Sequence, residues 1–473
     1  MDSSMNNITM YYYFFLVLCL IVFILCKFIQ RWRNHGCYIL HYECFKPSDD
    51  RKIDTQISGD IIQRNKYLGP EEYRFLLRAV VNSGIGEETY APRNIVEGRE
   101  NCATLVDGIE EMEECFFDTL EKLFAKSEVS PAEIDVLVVN VSMLSPAPSL
   151  CSRIVRRFAM REDVRAFNLS GMGCSASLIS VNLVENMFKC RRNIFAIVVT
   201  SESIAPFWYS GNEKSMMLAN CLFRSGGCSI LLTNRHNLRS KSIMKLKCSE
   251  RTHLGENHEA FNCCMQKEDD NGRLGFYLSK TLPRAASRAF AENLRNLAPR
   301  ILPFRQIVEH LARTCFHTLL TKTNISKKAI EGKVINFKSG VDHFCLHPGG
   351  SALIEGIKKN LGLSEYDVEP SKMTLSRFGN TSASSIWYVL GYMEAKKRLK
   401  KGDRVLMVSL GAGFKCNSIL WEVMRDLGND NNNDTIWKGF IDDYPPRGNT
   451  INPYLKNLGW LCQENPPQFR SIK

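Results

Sequence analysis

Phe167-Asn168-Leu169-Ser170-Gly171-Met172-Gly173-Cys174-Ser175-Ala176 carries an apolar, strand-like run through two glycines into an amphipathic helix that a cysteine opens. Glycines 171 and 173 permit a tight strand-to-helix turn without Cβ clashes, so the thiol is presented at a helix N-terminus. Unpaired N–H groups and the positive end of the macrodipole there are expected to favour thiolate. A buried structural cysteine in the same kind of turn is the competing reading, and two distant segments bear on it.

The first is His343-Phe344-Cys345-Leu346-His347-Pro348-Gly349-Gly350, in which His347 ends a short apolar strand. Pro-Gly-Gly then stops pairing and starts a helix expected to run to about Leu361. The second is Ser376-Arg377-Phe378-Gly379-Asn380-Thr381-Ser382, where Asn380 precedes a buried helix containing Ile386-Trp387-Tyr388-Val389-Leu390. A histidine or asparagine alone at such an edge is usually a cap or a satisfied core group. A cysteine, a histidine and an asparagine, each beside glycine or proline at an element boundary, together form a candidate catalytic set.

On these segments the chain resembles the plant-type 3-ketoacyl-CoA synthases, the membrane-bound condensing enzymes of very-long-chain fatty acid elongation. Further matching blocks are Gly84-Ile85-Gly86-Glu87-Glu88-Thr89-Tyr90, Asn212-Glu213-Lys214-Ser215-Met216, Asn220-Cys221-Leu222-Phe223-Arg224, Lys401-Gly402-Asp403-Arg404-Val405 and Gly411-Ala412-Gly413-Phe414-Lys415-Cys416-Asn417-Ser418. The resemblance implies a thiolase-like α/β fold of two related halves stacked in five layers. It implies a Cys-His-Asn catalytic set at Cys174, His347 and Asn380, with His343 and His253 as supporting histidines.

The implied reaction joins a long-chain acyl-CoA to malonyl-CoA by decarboxylative condensation, giving 3-ketoacyl-CoA, CO2 and coenzyme A. It is the first step of fatty acid elongation, feeding wax, suberin, seed or membrane lipids. Cys174 would take the acyl group, and His347 and Asn380 would donate hydrogen bonds to the malonyl thioester oxygen. Backbone N–H groups of Cys174 and Gly413 are the oxyanion candidates. No metal and no cofactor is expected beyond the CoA substrates. The His343–His347 spacing on a strand puts the two rings too far apart to share a metal ion.

The resemblance also implies partners: a ketoacyl-CoA reductase, a dehydratase and an enoyl-CoA reductase in the endoplasmic reticulum membrane, and a homodimer. Two departures from the family stand out: one N-terminal apolar span where two are usual, and Ser177 in place of a glycine three residues after the nucleophile. They motivate one alternative, a catalytically weak paralogue acting as a partner of the elongase complex. The other is a papain-like thiol hydrolase, which uses the same residue types but has different signatures around its cysteine.

Composition fits without deciding. A chain of 473 residues exceeds one ordinary core, so two halves are expected, and an apolar share of 44% excludes global disorder. The net charge of +11 is spread along the chain with no nucleic-acid signature, and suits a solvated basic surface, an anionic leaflet or CoA phosphates. Eighteen cysteines, none in a Cys-x-x-Cys pair, point to a reducing compartment.

Residues 1–33 read as a membrane anchor with its span at about 10–29. Lys27, Arg31 and Arg33 follow the span and no basic residue precedes it, which places the body on the cytosolic face. Residues 34–60 read as a neck, 61–290 as the first half with the nucleophile, 291–445 as the second half with His347 and Asn380, and 446–473 as an irregular tail with no assigned role. Each half is expected to hold a mostly parallel sheet covered by helices, with proline breaks at 283, 299 and 303 near the crossover.

Overall fold

The computed structural model describes residues 36–309, 336–428, 435–446 and 452–459, together with Ile21 and Leu25. The expected span at 10–29 otherwise lies outside the described residues. Among those described, no helix is long and apolar enough to cross a membrane.

The strands are β1 (Tyr38–Cys44), β2 (Lys52–Ile53), β3 (Thr89–Tyr90), β4 (Ile134–Asn140), β5 (Arg165–Leu169), β6 (Phe195–Ser201), β7 (Gly227–Thr233), β8 (Met244–His253), β9 (Cys264–Glu268), β10 (Leu274–Leu278), β11 (His343–Leu346), β12 (Arg404–Gly411) and β13 (Lys415–Val423). Nine of them form one sheet in the order β11-β12-β13-β8-β1-β7-β6-β4-β5, while β2 with β3 and β9 with β10 make small ribbons.

A two-fold repeat is visible in the pairing. At the centre β1 meets β8 through Tyr38–Lys245 and Ile39–Met244. Outward from this seam, each side has two antiparallel contacts followed by a parallel one: β1/β7, β7/β6, β6/β4 on one side, and β8/β13, β13/β12, β12/β11 on the other. The sheet is therefore mixed, which corrects the expectation of mostly parallel halves. Strand β1 lies inside the segment expected to be a neck, and β8 inside the expected first half, although it hydrogen-bonds with the second. Pro299 does not break the helix Leu282–Ile301 but lies within it, near its C-terminal end.

Alternation along the buried strands sets the layers. Val136 and Val138 of β4 face the central helices Ala176–Cys190 and Ser385–Ala395, and Met407 of β12 and Trp421 of β13 reach the same helices from the other side. Leu137 and Val139 point the opposite way, onto the outer helices Leu105–Ser127 and Leu150–Arg157. Leu406 and Val408 point onto Leu282–Ile301, Ser351–Leu361 and Glu365–Phe378. The result is helix, sheet, helix, sheet, helix. The central helix Ser385–Ala395 is buried at every position from Ser385 to Met393, as its uninterrupted apolar run requires.

Candidate active site

The two central helices bring Cys174 and Asn380 together. Each is preceded by a short 3-10 turn, Gly173–Ser175 and Ser382–Ser384, and the two turns pack against each other. Gly173 has φ +67°, and a Cβ there would stand 2.5 Å from Ala412 N, so only glycine fits. Its N–H donates to Ser142 Oγ at 2.9 Å, and Ser409 Oγ donates to Cys174 O at 2.8 Å, which fixes the backbone at Cys174 from both halves.

Cys174, His347 and Asn380 line one cavity of about 610 Å³, a volume ordinary for a small-molecule site. Its walls are mostly apolar, with Phe75, Leu218, Phe276, Ala286 and Ile357 among them. His347 follows β11, and its N–H donates to Val408 O at 2.9 Å. Burial, with no compensating charge, pushes its imidazole down to about 4, and Nδ1 has no partner among the described residues. The ring is therefore neutral at physiological pH, with one N–H and one lone pair.

Asn380 is held at both ends of its peptide, donating to Leu222 O at 3.0 Å and accepting from Arg224 N at 3.0 Å. Its side-chain Oδ1 accepts from Ser382 N at 2.9 Å and from Ser385 Oγ at 3.4 Å. With the carbonyl end occupied, the amide nitrogen is the end left to donate to a ligand.

A buried carboxylate completes the cluster. Glu202, only 4% exposed, accepts from Ser142 N at 3.0 Å and Met143 N at 2.9 Å through Oε1, and from Ser382 Oγ at 3.2 Å through Oε2. Ser382 Oγ also lies 3.6 Å from Cys174 Sγ. Burial pushes the Glu202 carboxyl up to about 7 despite these donors. Sequence reading missed Glu202; its signal is an acid placed directly after the continuous apolar run of β6 and Ser201.

Burial pushes the Cys174 thiol up to about 12; the Ser382 hydroxyl opposes this and the Glu202 carboxylate adds to it. Burial thus works against the resting thiolate that the helix terminus is expected to favour. A helix terminus contributes about 0.3–1 kcal/mol, too little to offset desolvation beside a carboxylate.

The other sequence candidates fall elsewhere. His343 sits at the far end of β11 with Nε2 3.0 Å from Asp403 Oδ2, and is absent from the cavity wall. His253 ends β8 with Nδ1 accepting from Gly255 N at 3.0 Å, outside the cavity wall beside the Gly413 turn. At that turn Gly411, Ala412 and Phe414 face the cavity, whereas Gly413 does not line it. Ser177 is fully buried, off the cavity wall, and its hydroxyl has no partner among the described residues, so it neither crowds the site nor caps the helix. Among the described residues no cluster of His, Cys, Asp and Glu is grouped to hold a metal ion.

Residues 29–335 match the family described as FAE1/Type III polyketide synthase-like protein, and residues 337–423 match the 3-Oxoacyl-[acyl-carrier-protein (ACP)] synthase III C terminal family. The chain is 55% identical over 468 residues to 3-ketoacyl-CoA synthase 12 of Arabidopsis thaliana, covering 98% of each chain. It is 54% identical over 460 residues to 3-ketoacyl-CoA synthase 3 of the same plant, covering 96% of each. Among solved structures, PKS-I from the brown alga Ectocarpus siliculosus superposes with a TM-score of 0.63 at 16% identity, over 82% of this chain and 98% of that one. The C-terminal type III polyketide synthase domain of Steely1 from Dictyostelium gives 0.63 at 17% identity, over 82% and 99%. These structural likenesses bear out the thiolase-like fold.

Proposed function

Because the chain belongs to the 3-ketoacyl-CoA synthase family, we propose that it condenses a long-chain acyl-CoA with malonyl-CoA to give 3-ketoacyl-CoA, CO2 and coenzyme A. The observation that carries this reading is the shared cavity of Cys174, His347 and Asn380.

The resting thiol needs a proton acceptor, and the neutral His347 supplies one. As the Cys174 sulfur adds to the acyl-CoA carbonyl, its proton passes to His347. The tetrahedral intermediate collapses, the bond to the coenzyme A sulfur breaks, and His347 returns the proton to that leaving thiolate. Thioester is exchanged for thioester, so no nucleotide is consumed. The backbone N–H of Cys174 would hold the oxyanion, and such a donor is worth about 2.7–4 kcal/mol of barrier.

Malonyl-CoA then enters. Its C–C bond to the carboxylate breaks, CO2 leaves, and the electron pair becomes an enolate whose oxygen accepts hydrogen bonds from Asn380 Nδ2 and from His347. The enolate carbon attacks the acyl-cysteine carbonyl, a C–C bond forms, the C–S bond breaks, and the released Cys174 sulfur takes a proton from solvent. Asn380 remains a donor at every pH, since an amide does not titrate.

The reading extends to the surroundings. The endoplasmic reticulum membrane with a cytosolic body is supported by the apolar stretch at 10–26 and the basic residues after it. Reductase, dehydratase and enoyl reductase partners follow from the chemistry of the ketoacyl product. A homodimer is supported by β5, an exposed edge strand that presents Arg165 and Phe167 to solvent.

The test is incubation of the full-length protein with acyl-CoA and labelled malonyl-CoA. CO2 together with a ketoacyl product two carbons longer supports condensation. Free fatty acid as the sole product favours a thiol hydrolase, and no turnover with intact Cys174 acylation favours the weak paralogue.

A further inference from the structure

The tail after Pro446, to which the sequence assigns no role, contains the helix Pro453–Leu458, and this helix docks on the cavity's outer wall. Tyr454 is 1% exposed and packs against Leu77, with Tyr73, Val80, Val81 and Leu458 around it. Asn452 Nδ2 donates to Val81 O at 3.4 Å, and Asn457 Nδ2 donates to Thr55 Oγ1 at 2.8 Å. The short helix thus ties together the C-terminal turn of helix Pro70–Ser83 and the first turn of helix Thr55–Arg64.

Helix Pro70–Ser83 has two working faces. At 3.6 residues per turn, Tyr73, Leu77, Val80 and Val81 share one side, while Phe75, Arg78, Ala79 and Asn82 fall on the opposite side. The first set meets the tail; the second lines the cavity that holds Cys174. The position of this wall relative to the rest of the cavity is therefore set in part from outside, by residues that never touch a ligand.

We propose that the segment Asn452–Leu458 is a strap that fixes the width of the acyl cavity, with Tyr454 and Leu458 as positioning residues that determine which primer chain lengths are accepted. Loosening the strap lets helix Pro70–Ser83 move outward, which changes the fit of long and short acyl chains unequally while leaving Cys174, His347 and Asn380 in place. The inference rests on the condensing-enzyme reading.

The test uses the full-length protein and its Tyr454→Ala, Tyr454→Phe and Leu458→Ala variants with malonyl-CoA and saturated acyl-CoA primers of graded length. A cooperative thermal melt shows that each variant is folded. Tyr454→Ala is expected to change the ratio of kcat/KM between long and short primers by about tenfold, the scale on which apolar pockets discriminate methylenes. Tyr454→Phe, which keeps the ring, is expected to retain the wild-type profile. If Tyr454→Ala does not accumulate, Leu458→Ala, at the partly exposed end of the contact, gives the same readout. An unchanged length profile, or an equal loss on all primers in a variant that melts like wild type, overturns the strap while the condensation reading stands. Wild type that makes no ketoacyl product on any primer overturns that reading and the strap with it.

Discussion

Ser382 holds its hydroxyl 3.6 Å from Cys174 Sγ and 3.2 Å from Glu202 Oε2, so one proton donor faces both a thiol and a buried carboxylate. Ser382 has φ +57°, a strained conformation for a side-chain-bearing residue, which the packing of the two helix-opening turns maintains. The single hydroxyl proton is shared between these two acceptors, so the ionised Glu202 competes with the sulfur for it.

Glu202→Gln reverses that bond. The amide oxygen stays with Ser142 N and Met143 N, the NH2 group donates to Ser382, and the hydroxyl turns its proton to the sulfur. The nearby negative charge also disappears, so the Cys174 thiol is expected to ionise at lower pH. Iodoacetamide alkylation across pH reads this directly, with a several-fold faster rate in the variant at mildly alkaline pH. An unshifted alkylation profile overturns the relay.

Asn380→Asp separates the two half-reactions. The carboxylate accepts where the amide donated, so malonyl-CoA decarboxylation is expected to fall by about 10²–10³, the cost of losing one such donor. Acylation of Cys174 by radiolabelled acyl-CoA remains detectable, whereas Cys174→Ala loses it. Loss of acylation with decarboxylation intact would reverse the assigned roles.

His347 links the site to acid stability. The unfolded chain takes up the imidazole proton near pH 6.5, while the folded protein resists it down to about 4. The folded state thus binds fewer protons within that window. Its stability is complete above about 6.5 and is lost as pH falls towards 4, by about 3 kcal/mol in the limit. Thermal melts of wild type and His347→Gln at pH 7, 6, 5 and 4 test this: the decline in Tm is expected to be shallower in the variant.

Ser177 buries an unpartnered hydroxyl in a central helix. Replacing it by alanine removes a desolvated group without leaving a large void, and is expected to stabilise the protein by about 1 kcal/mol. A higher Tm with unchanged kcat for Ser177→Ala is the expected result, and a lower Tm would point to an unseen partner.

The three residues that share the cavity stand out in the sequence because each is punctuated: glycines around Cys174, Pro-Gly-Gly after His347, a glycine before Asn380. Glu202 was not, since an acid at the end of an apolar strand reads as its polar terminus until the fold brings Ser382 to it. The mixed pairing was hidden for a related reason. A strand buried on both faces is a continuous apolar run whichever way its neighbours point. Strand β1 was passed over because His41, Tyr42 and Glu43 look like surface residues; in the fold Tyr42 donates to Glu394 at 2.5 Å and Glu43 meets Lys126 at 2.8 Å. The protonation state of Cys174 depends on burial, which the local motif does not encode.

The β1–β8 seam joins the sheets of the two repeats through few residue pairs, while the central helices and the turns that open them pack across it. A substitution at Tyr38, Ile39, Met244 or Lys245 that tilts one repeat against the other would separate sulfur from imidazole without altering either. Inactivating alleles of such a protein are therefore to be sought along this seam as well as among its reactive groups.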